Sequence, residues 1–237
     1  MYVGIPTKRG IGMQNELEIL RSCPLFQGIE AGNLREMLAC LNAKRIFKAK
    51  NEAVFQEGDP ANCVGVVLSG ALQIEKIDFY GNRSIVDRIA PAQIFGESFA
   101  FSGVEAMPVR CVATEPSEIL LLECSRIVHT CCNACTFHSR MILNLLRVVA
   151  AKNLAFNQKI AILSRRTTRE KLMTYLLDQA KRCGSASFTI PFDRQGLADY
   201  LGVERSALSA EIGKLRADGV LESDRSRFIL HPEAWNG

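Results

Sequence analysis

Hydrophobic and polar positions change their period twice along the chain, which divides it into three parts. Residues 14–43 carry apolar side chains at helical spacing, and we predict short helices there. Residues 46–123 form short runs rich in Val, Ile and Leu, separated by Gly and Pro at fairly even intervals. Turn signals spaced in this way indicate a small all-β sandwich or barrel. After Cys135 the helical period returns.

The helix predicted after Cys135 carries a regular apolar seam. Seven side chains recur at heptad spacing: Ile142, Leu146, Val149, Asn153, Phe156, Ile160 and Leu163. Because neither Gly nor Pro interrupts this seam, it favours a dimerisation helix over a helix packed only within its own domain. Asn153 is the polar member of the seam, and such a residue can fix the register of two helices.

The C-terminal part predicts two helices joined by a tight turn. Thr167 and Glu170 have the spacing of a capping box, which starts a helix that runs to about Lys181. Further on, Gly202 separates two short amphipathic helices, since glycine adopts a positive φ without strain. Two such helices form a helix-turn-helix, whose second helix can enter the major groove of DNA.

A hairpin follows the helix-turn-helix and completes a winged helix. Two apolar runs, Val220-Leu221 and Phe228–Leu230, flank the turn Ser223–Ser226. Helical hairpins in general lack such a wing. The chain is therefore expected to belong to the α+β class, with three parts: residues 14–135, a β domain with flanking helices; residues 136–163, the dimerisation helix; and residues 164–237, a winged helix.

Composition and charge are those of an ordinary globular protein. The 237 residues can form two domains with a core each, and 48% of them are hydrophobic at a mean hydropathy of +0.06. No apolar run approaches the roughly 18 residues needed to span a bilayer, and the N-terminus lacks the apolar core of a signal peptide. We therefore expect a cytoplasmic protein with no membrane partner.

Three segments, in this order, resemble the Crp/Fnr superfamily of bacterial transcription regulators. They are Glu57–Pro60 with Leu68–Leu72, Phe95–Glu97 with Ala100-Phe101, and Arg194–Leu215. The resemblance covers about residues 15–230. It implies an N-terminal β-roll of the cyclic-nucleotide-binding, cupin-like kind, a long dimerisation helix and a C-terminal winged helix. It also implies a homodimer that reads an inverted repeat in double-stranded DNA under control of a small effector in the roll, with RNA polymerase as a protein partner.

The resemblance also implies an effector cassette, from which this chain departs. In members that bind cyclic nucleotides, a Glu takes the ribose hydroxyl and an Arg with Ser or Thr holds the phosphate. Here Glu97 is present, but the two positions of the phosphate-binding pair, ten and eleven residues later, are Met107 and Pro108. Methionine carries no charge, and proline has no backbone N–H to donate. Arg110 lies two residues beyond this pair, which along a strand is a displacement of about 6–7 Å. We expect an effector other than cyclic AMP, at a candidate set of Gly96, Glu97, Ser98, Met107, Pro108 and Arg110.

The DNA-reading residues are likewise assigned through the resemblance. Base-facing candidates on the second helix are Arg205, Ser206, Ser209 and Ala210, and phosphate-binding candidates are Thr189, Arg194, Lys214, Arg225 and Arg227. Arg205 has the chemistry to bond a guanine edge, and Ala210 can contact a thymine methyl. Residues 164–237 hold twelve Lys and Arg against ten Asp and Glu, so binding must depend on local placement of charge.

Nine cysteines and three histidines leave an alternative open. Cys132, Cys135 and His138 are spaced so that they could bind a metal, and the same thiols could respond to redox state. Buried packing residues are the competing interpretation. Cysteines near His138 are the only hint of a nucleophile with its base, so we predict that the chain is not an enzyme. A winged helix that contacts protein instead of DNA is the remaining alternative.

Overall fold

The computed structural model describes residues 12–128 and 136–231 of the chain. It confirms the predicted class, with a β-roll, a long helix and a winged helix in that order. The helices are α1 (Gly12–Ser22), a 3-10 helix (Pro24–Phe26), α2 (Ala31–Cys40), α3 (Glu97–Ala100), α4 (Cys124–Val128), α5 (Thr136–Leu163), α6 (Thr168–Cys183), α7 (Arg194–Leu201) and α8 (Arg205–Ala217).

The strands lie in the two parts of the chain where the sequence predicts them, the roll and the wing. They are β1 (Lys44–Lys48), β2 (Ala53–Phe55), β3 (Cys63–Ser69), β4 (Leu72–Ile77), β5 (Arg83–Ile89), β6 (Ile94–Phe95), β7 (Arg110–Ala113), β8 (Ser117–Glu123), β9 (Ser187–Thr189), β10 (Leu221–Asp224) and β11 (Arg227–Leu230). In the described residues, the first eight form two four-stranded sheets, with orders β1-β8-β3-β6 and β2-β7-β4-β5.

Strand β3 contributes to both apolar cores of the roll, because both of its faces are apolar. Val66 packs into the cluster shared with the N-terminal helices, whereas the next residue, Val67, packs into the cluster between the sheets. Side chains alternate along a strand, so one strand serves both cores. Gly65 leaves room on β3 for the ring of Phe95, since a Cβ at this position would lie 2.1 Å from the Phe95 Cζ atom.

Contacts between backbone positions divide the chain into two compact units. The first runs to Lys76 and resumes from Val86 to Lys152, and the second comprises Ile77–Ile85 and the chain from Asn153 onward. The sequence analysis instead placed its boundaries at residues 135 and 163, at the two ends of α5. That three-part division stays a prediction.

Within the first unit, α5 is tied to the N-terminal helices by a buried amide. The Asn144 side chain donates hydrogen bonds to the carbonyl oxygens of Leu25 and Gln27, at 3.1 and 2.8 Å. Asn144 is 2% exposed, so both donors are matched where water is excluded. This contact fixes the N-terminal half of α5.

Within the second unit, local capping signals define the helices. Thr167 Oγ1 accepts a hydrogen bond from the Glu170 N–H at 3.1 Å, and the Glu170 carboxylate accepts from the Thr167 N–H at 3.2 Å. The predicted capping box is therefore present. Gly202 follows α7 with a φ of +61°, in the left-handed region that ends a helix.

The wing is a three-stranded sheet in the order β10-β11-β9 within the described residues. Asp224 pairs with Arg227 across the tip, and Arg227 pairs with Thr189 on the other side. Arg225 has a φ of +49° at the tip, a conformation that non-glycine residues adopt infrequently. The rings of Phe188 and Phe228 stack beneath the sheet, with centroids 6.5 Å apart.

Candidate functional site

Helix α8 has one buried face and one exposed face. Leu208, Ile212 and Leu215 are buried in the core of the winged helix. The base-facing candidates all lie on the exposed face: Arg205, Ser206, Ser209 and Ala210. Lys214 is exposed further along α8. A helix held by its apolar stripe, with arginine, serine and alanine facing outward, has the shape and the chemistry to enter a major groove.

The other phosphate candidates lie on α7 and on the wing. Thr189 and Arg227 are exposed and directly opposite each other on β9 and β11, and Arg225 is exposed at the tip of the hairpin. These three residues therefore lie at the end of the wing sheet where the hairpin turns. Arg194 is the first residue of α7, and its guanidinium carbon lies 5.8 Å from the centroid of the Phe228 ring.

Arg194 lies in a positively charged surrounding. Its pKa is lowered from the ordinary value by partial burial first, and then by the charges of Arg205 and Arg216. The guanidinium groups of Arg205 and Arg216 are therefore each near enough to repel that of Arg194. A phosphate placed among them relieves this repulsion, because an anion pairs with each cation.

Asp193 was missed by the sequence analysis, although it carries a local signal. Its Oδ1 accepts a hydrogen bond from the Gly196 N–H at 2.7 Å, which makes Asp193 the N-cap of α7. An aspartate immediately before an amphipathic run is a standard N-cap. The cap fixes the start of α7, and with it the position of Arg194.

The predicted effector cassette lies around α3 in the first unit. Gly96 precedes α3 with a φ of +82°, and a Cβ there would lie 3.0 Å from the carbonyl oxygen of Cys63. Glu97 and Met107 are buried, whereas Ser98 and Pro108 are exposed. A cavity of about 10 Å³ is bordered by Gly96, Met107 and several apolar residues, which is room for a single water molecule.

Both charged members of the cassette form ion pairs inside the protein. Glu97 pairs with Lys152 of α5, with Oε1 and Nζ 2.8 Å apart. Arg110 pairs with Glu75 on the neighbouring strand, with Nε and Oε1 3.0 Å apart. Gln73 donates to the other oxygen of Glu75 at 3.0 Å. The sequence analysis missed Lys152 and Glu75, and no local pattern could have revealed contacts between elements so distant in sequence.

The heptad seam of α5 is mostly open to solvent in the single chain. Ile142 is half-buried, and six seam residues are exposed: Leu146, Val149, Asn153, Phe156, Ile160 and Leu163. Leu146 and Ile160 are the extremes, at 62% and 63% exposure. Large side chains of this kind are usually buried, so a row of them marks an interaction surface.

The cysteines of the described residues are free thiols, some buried and some accessible. Burial raises the pKa of Cys23 to about 11 and that of Cys111 to about 12, so both thiols stay protonated and unreactive at neutral pH. Among the described residues no group of three His, Cys, Asp or Glu side chains could hold a metal. Cys132 and Cys135 lie outside the described residues, and His138 is buried in α5. The helices that are described include none long and apolar enough for a membrane span.

Two protein families match the two halves of this architecture. Residues 45–129 match the cyclic nucleotide-binding domain, and residues 170–234 match the Crp-like helix-turn-helix domain. Together these matches cover the roll and the winged helix described above.

Curated relatives are regulators of gene expression. The chain is 26% identical over 211 residues to the nitrogen fixation regulation protein FixK of Azorhizobium caulinodans, covering 85% of this chain and 80% of that protein. It is 24% identical over 182 residues to the transcriptional activator protein FnrA of Stutzerimonas stutzeri, covering 74% of this chain and 71% of that one.

Solved structures share the fold at low identity. FixK2 from Bradyrhizobium japonicum superposes with a TM-score of 0.65 at 22% identity, over 82% of this chain and 96% of that chain. The c-di-GMP responsive regulator CLP of Xanthomonas campestris gives 0.69 at 21% identity, over 85% and 99%. With a roll that matches the cyclic nucleotide-binding domain, followed by a Crp-like helix-turn-helix, this chain belongs to the Crp/Fnr family of transcriptional regulators.

Proposed function

We propose that the chain is a homodimeric regulator that binds an inverted repeat in double-stranded DNA through α8. The observation that carries this proposal is the division of α8 into two faces. Its apolar residues are buried in the winged helix, while Arg205, Ser206, Ser209 and Ala210 are exposed together. Arginine to guanine, serine to either base or phosphate, and alanine to a thymine methyl are the pairings that these side chains favour.

The cationic and hydroxyl side chains of α7 and the wing support the same proposal. Arg194, Arg225 and Arg227 carry charge on the winged helix, and Thr189 adds a hydroxyl beside Arg227. These groups position the domain on the backbone, whereas α8 reads the sequence. The modest net charge of residues 164–237 makes these few residues decisive for affinity.

Dimerisation would follow from the exposed seam of α5. A second copy of the chain can cover Leu146, Val149, Phe156 and Ile160 with the same residues of its own helix, as the heptad spacing requires. Burial of one such side chain contributes about 1.5–3 kcal/mol. Asn153 would pair with its counterpart and select one register.

A regulator of this kind acts in the cytoplasm, where a bacterial chromosome lies, and its expected protein partner is RNA polymerase. Control by a small effector in the roll is implied by the resemblance but is not part of this proposal. The place beside Glu97 is taken by Lys152, and the neighbouring cavity holds at most one water molecule.

The proposal is tested by selection from a pool of random duplexes. Purified full-length chain is incubated with the pool, with and without reductant, and the bound duplexes are sequenced. We expect enrichment of an inverted repeat with half-sites about one helical turn apart. Arg205→Glu should abolish this enrichment, whereas Lys181→Glu, at an exposed position of α6, should preserve it.

Two other outcomes would contradict the proposal or modify it. If no sequence is enriched, even with added cell extract, the DNA-binding function fails and a winged helix that contacts protein becomes the better account. If binding is lost only without reductant, the thiols control DNA binding, as the redox alternative predicts.

A further inference from the structure

The Lys152 side chain extends from α5 to the cassette and holds the two together. Its Nζ is 2.8 Å from Glu97 Oε1 and donates a 2.8 Å hydrogen bond to the carbonyl oxygen of Ile94. Ile94 lies on β6 and Glu97 starts α3, so one ammonium group spans the turn between these two elements. The turn itself is fixed by the positive φ of Gly96.

The ion pair between Lys152 and Glu97 is largely buried, which makes it important for the stability of the cassette. Glu97 is 2% exposed, and the Lys152 side chain is 20% exposed. Glu97 Oε1 also accepts a hydrogen bond from Ser98 Oγ at 3.3 Å, whereas Oε2 is buried without a hydrogen-bond partner among the described residues. Lys152 supplies the positive charge that balances the carboxylate. A buried carboxylate left without its cation is strongly destabilised, because the protein interior solvates it poorly.

The small cavity in the roll agrees with a cassette in which Lys152 already occupies the place beside Glu97. The cavity beside Gly96 and Met107 is about 10 Å³, whereas pockets for small organic ligands measure about 300–1,000 Å³. Arg110, the other charged candidate, is held by Glu75 at 3.0 Å. Each of the two charges that a phosphate or a ribose could contact is therefore already paired with an opposite charge of the chain itself.

We propose that Lys152 acts as an internal ligand of the cassette, which closes the roll onto α5 so that DNA binding needs no small molecule in the roll. This inference rests on the proposed DNA-binding function. Lys152 lies off the heptad seam, ahead of the half of α5 that leads to the winged helix. Loss of its contact releases α3 from α5 and disturbs the helix on which a partner must dock.

The first test removes every bound molecule and measures DNA binding. Full-length chain is unfolded in denaturant, dialysed and refolded in defined buffer, and its affinity for the selected duplex is measured by fluorescence anisotropy. We expect a Kd within twofold of that of the natively purified chain, and no change on addition of cyclic AMP or of the small-molecule fraction of a cell extract. Loss of binding on refolding, with recovery in that extract, would overturn the inference.

The second test changes the ion pair itself. We expect Lys152→Met to weaken DNA binding tenfold or more, and Lys50→Met, at an exposed turn of the roll, to change it less than twofold. The double variant Glu97→Met with Lys152→Met should bind more tightly than Lys152→Met alone, because two apolar side chains replace both charges. Equal binding by Lys152→Met and the wild type would overturn the inference.

A third measurement needs no DNA and separates this inference from the proposed function. The amides of Phe99 and Ala100 donate to the Gly96 carbonyl oxygen, so their hydrogen exchange reports on α3. We expect this exchange to accelerate at least tenfold in Lys152→Met and not in Lys50→Met. Unchanged exchange would show that Lys152 does not tether α3 to α5, and would overturn the inference. If the tether is present but the wild type binds no duplex, even with extract, the proposed function fails instead.

Discussion

The guanidinium of Arg194 lies over the face of the Phe228 ring, with its carbon 5.8 Å from the ring centroid. Arg194 begins α7 and Phe228 is the buried aromatic of β11, so this contact joins the helix-turn-helix to the wing. A cation over an aromatic face is attracted by the ring quadrupole and keeps its hydrogen-bond donors available. Arg194 is therefore held in place while its N–H groups can still bind a phosphate.

Replacement of Arg194 by Ala should weaken binding about equally for all DNA sequences. A phosphate contact carries no sequence information, and its loss should reduce the slope of log K against log salt by about 1. Anisotropy titrations at several salt concentrations measure this slope, and Arg182→Ala serves as the control. An unchanged slope would show that Arg194 serves the wing alone.

Arg205→Ala should behave differently from Arg194→Ala, because Arg205 begins the exposed face of α8. We expect a loss of about 1–3 kcal/mol against the preferred duplex and relaxed specificity at one base pair in each half-site. A repeated selection with this variant measures both effects. Retention of the wild-type preference at every position would remove Arg205 from the reading surface.

Charge on the seam should prevent dimerisation. Leu146 and Ile160 are the two most exposed apolar residues of the seam. Replacing both by Asp places carboxylates where a second helix would have to bury them. Sedimentation velocity should then report a monomer. Ala151→Asp, an exposed residue on the opposite side of α5, is the matched control and should leave the dimer intact. A dimer that survives the double change must use another surface.

The capping box should contribute to the stability of the winged helix. Thr167→Ala removes the acceptor of the Glu170 N–H and should lower the free energy of unfolding by about 0.5–2 kcal/mol. Urea titration followed by circular dichroism measures this change. Thr168→Ala, at the next residue of α6, is the matched control for the loss of a threonine hydroxyl that caps no N–H group. Equal stability of Thr167→Ala and the wild type would contradict the role of the cap.

Glu170 should make part of that stability depend on pH. Hydrogen bonds from the backbone N–H groups of Thr167 and Arg166 lower the pKa of its carboxyl below the ordinary value. Because the folded pKa is the lower one, the contribution is present above the pKa of the unfolded chain and is lost as the pH falls through the folded value. Glu170→Gln should therefore flatten the acid side of the stability profile.

Local elements were predictable from the sequence, and contacts between distant elements were not. Thr167, Glu170 and Gly202 act within a few residues of their own positions, so spacing and residue type were enough to predict the capping box and the turn. The seam of α5 was likewise visible as a heptad period. Lys152 and Glu97 are 55 positions apart, and only the packing of α5 on the roll brings them together.

Arg110 illustrates the same limit within a single sheet. From the sequence, Arg110 belongs to the candidate effector set but is displaced along its strand from the expected position of a phosphate-binding arginine. In the structure it is opposite Glu75 in the register of β4 and β7, and the two side chains form an ion pair. Strand pairing depends on the whole roll, so a charge that looks available in sequence can already have its partner.

A spacing series tests most directly whether two copies of α8 read two half-sites of one duplex. Once the preferred half-site is known, the distance between its two copies is varied base pair by base pair, and the Kd of the full-length chain is measured. We predict the tightest binding at about one helical turn, about 10 base pairs between centres, and a large loss when about five base pairs are added, because the second half-site then faces away. Equal affinity for a single half-site, or for every spacing, would contradict the dimeric reading.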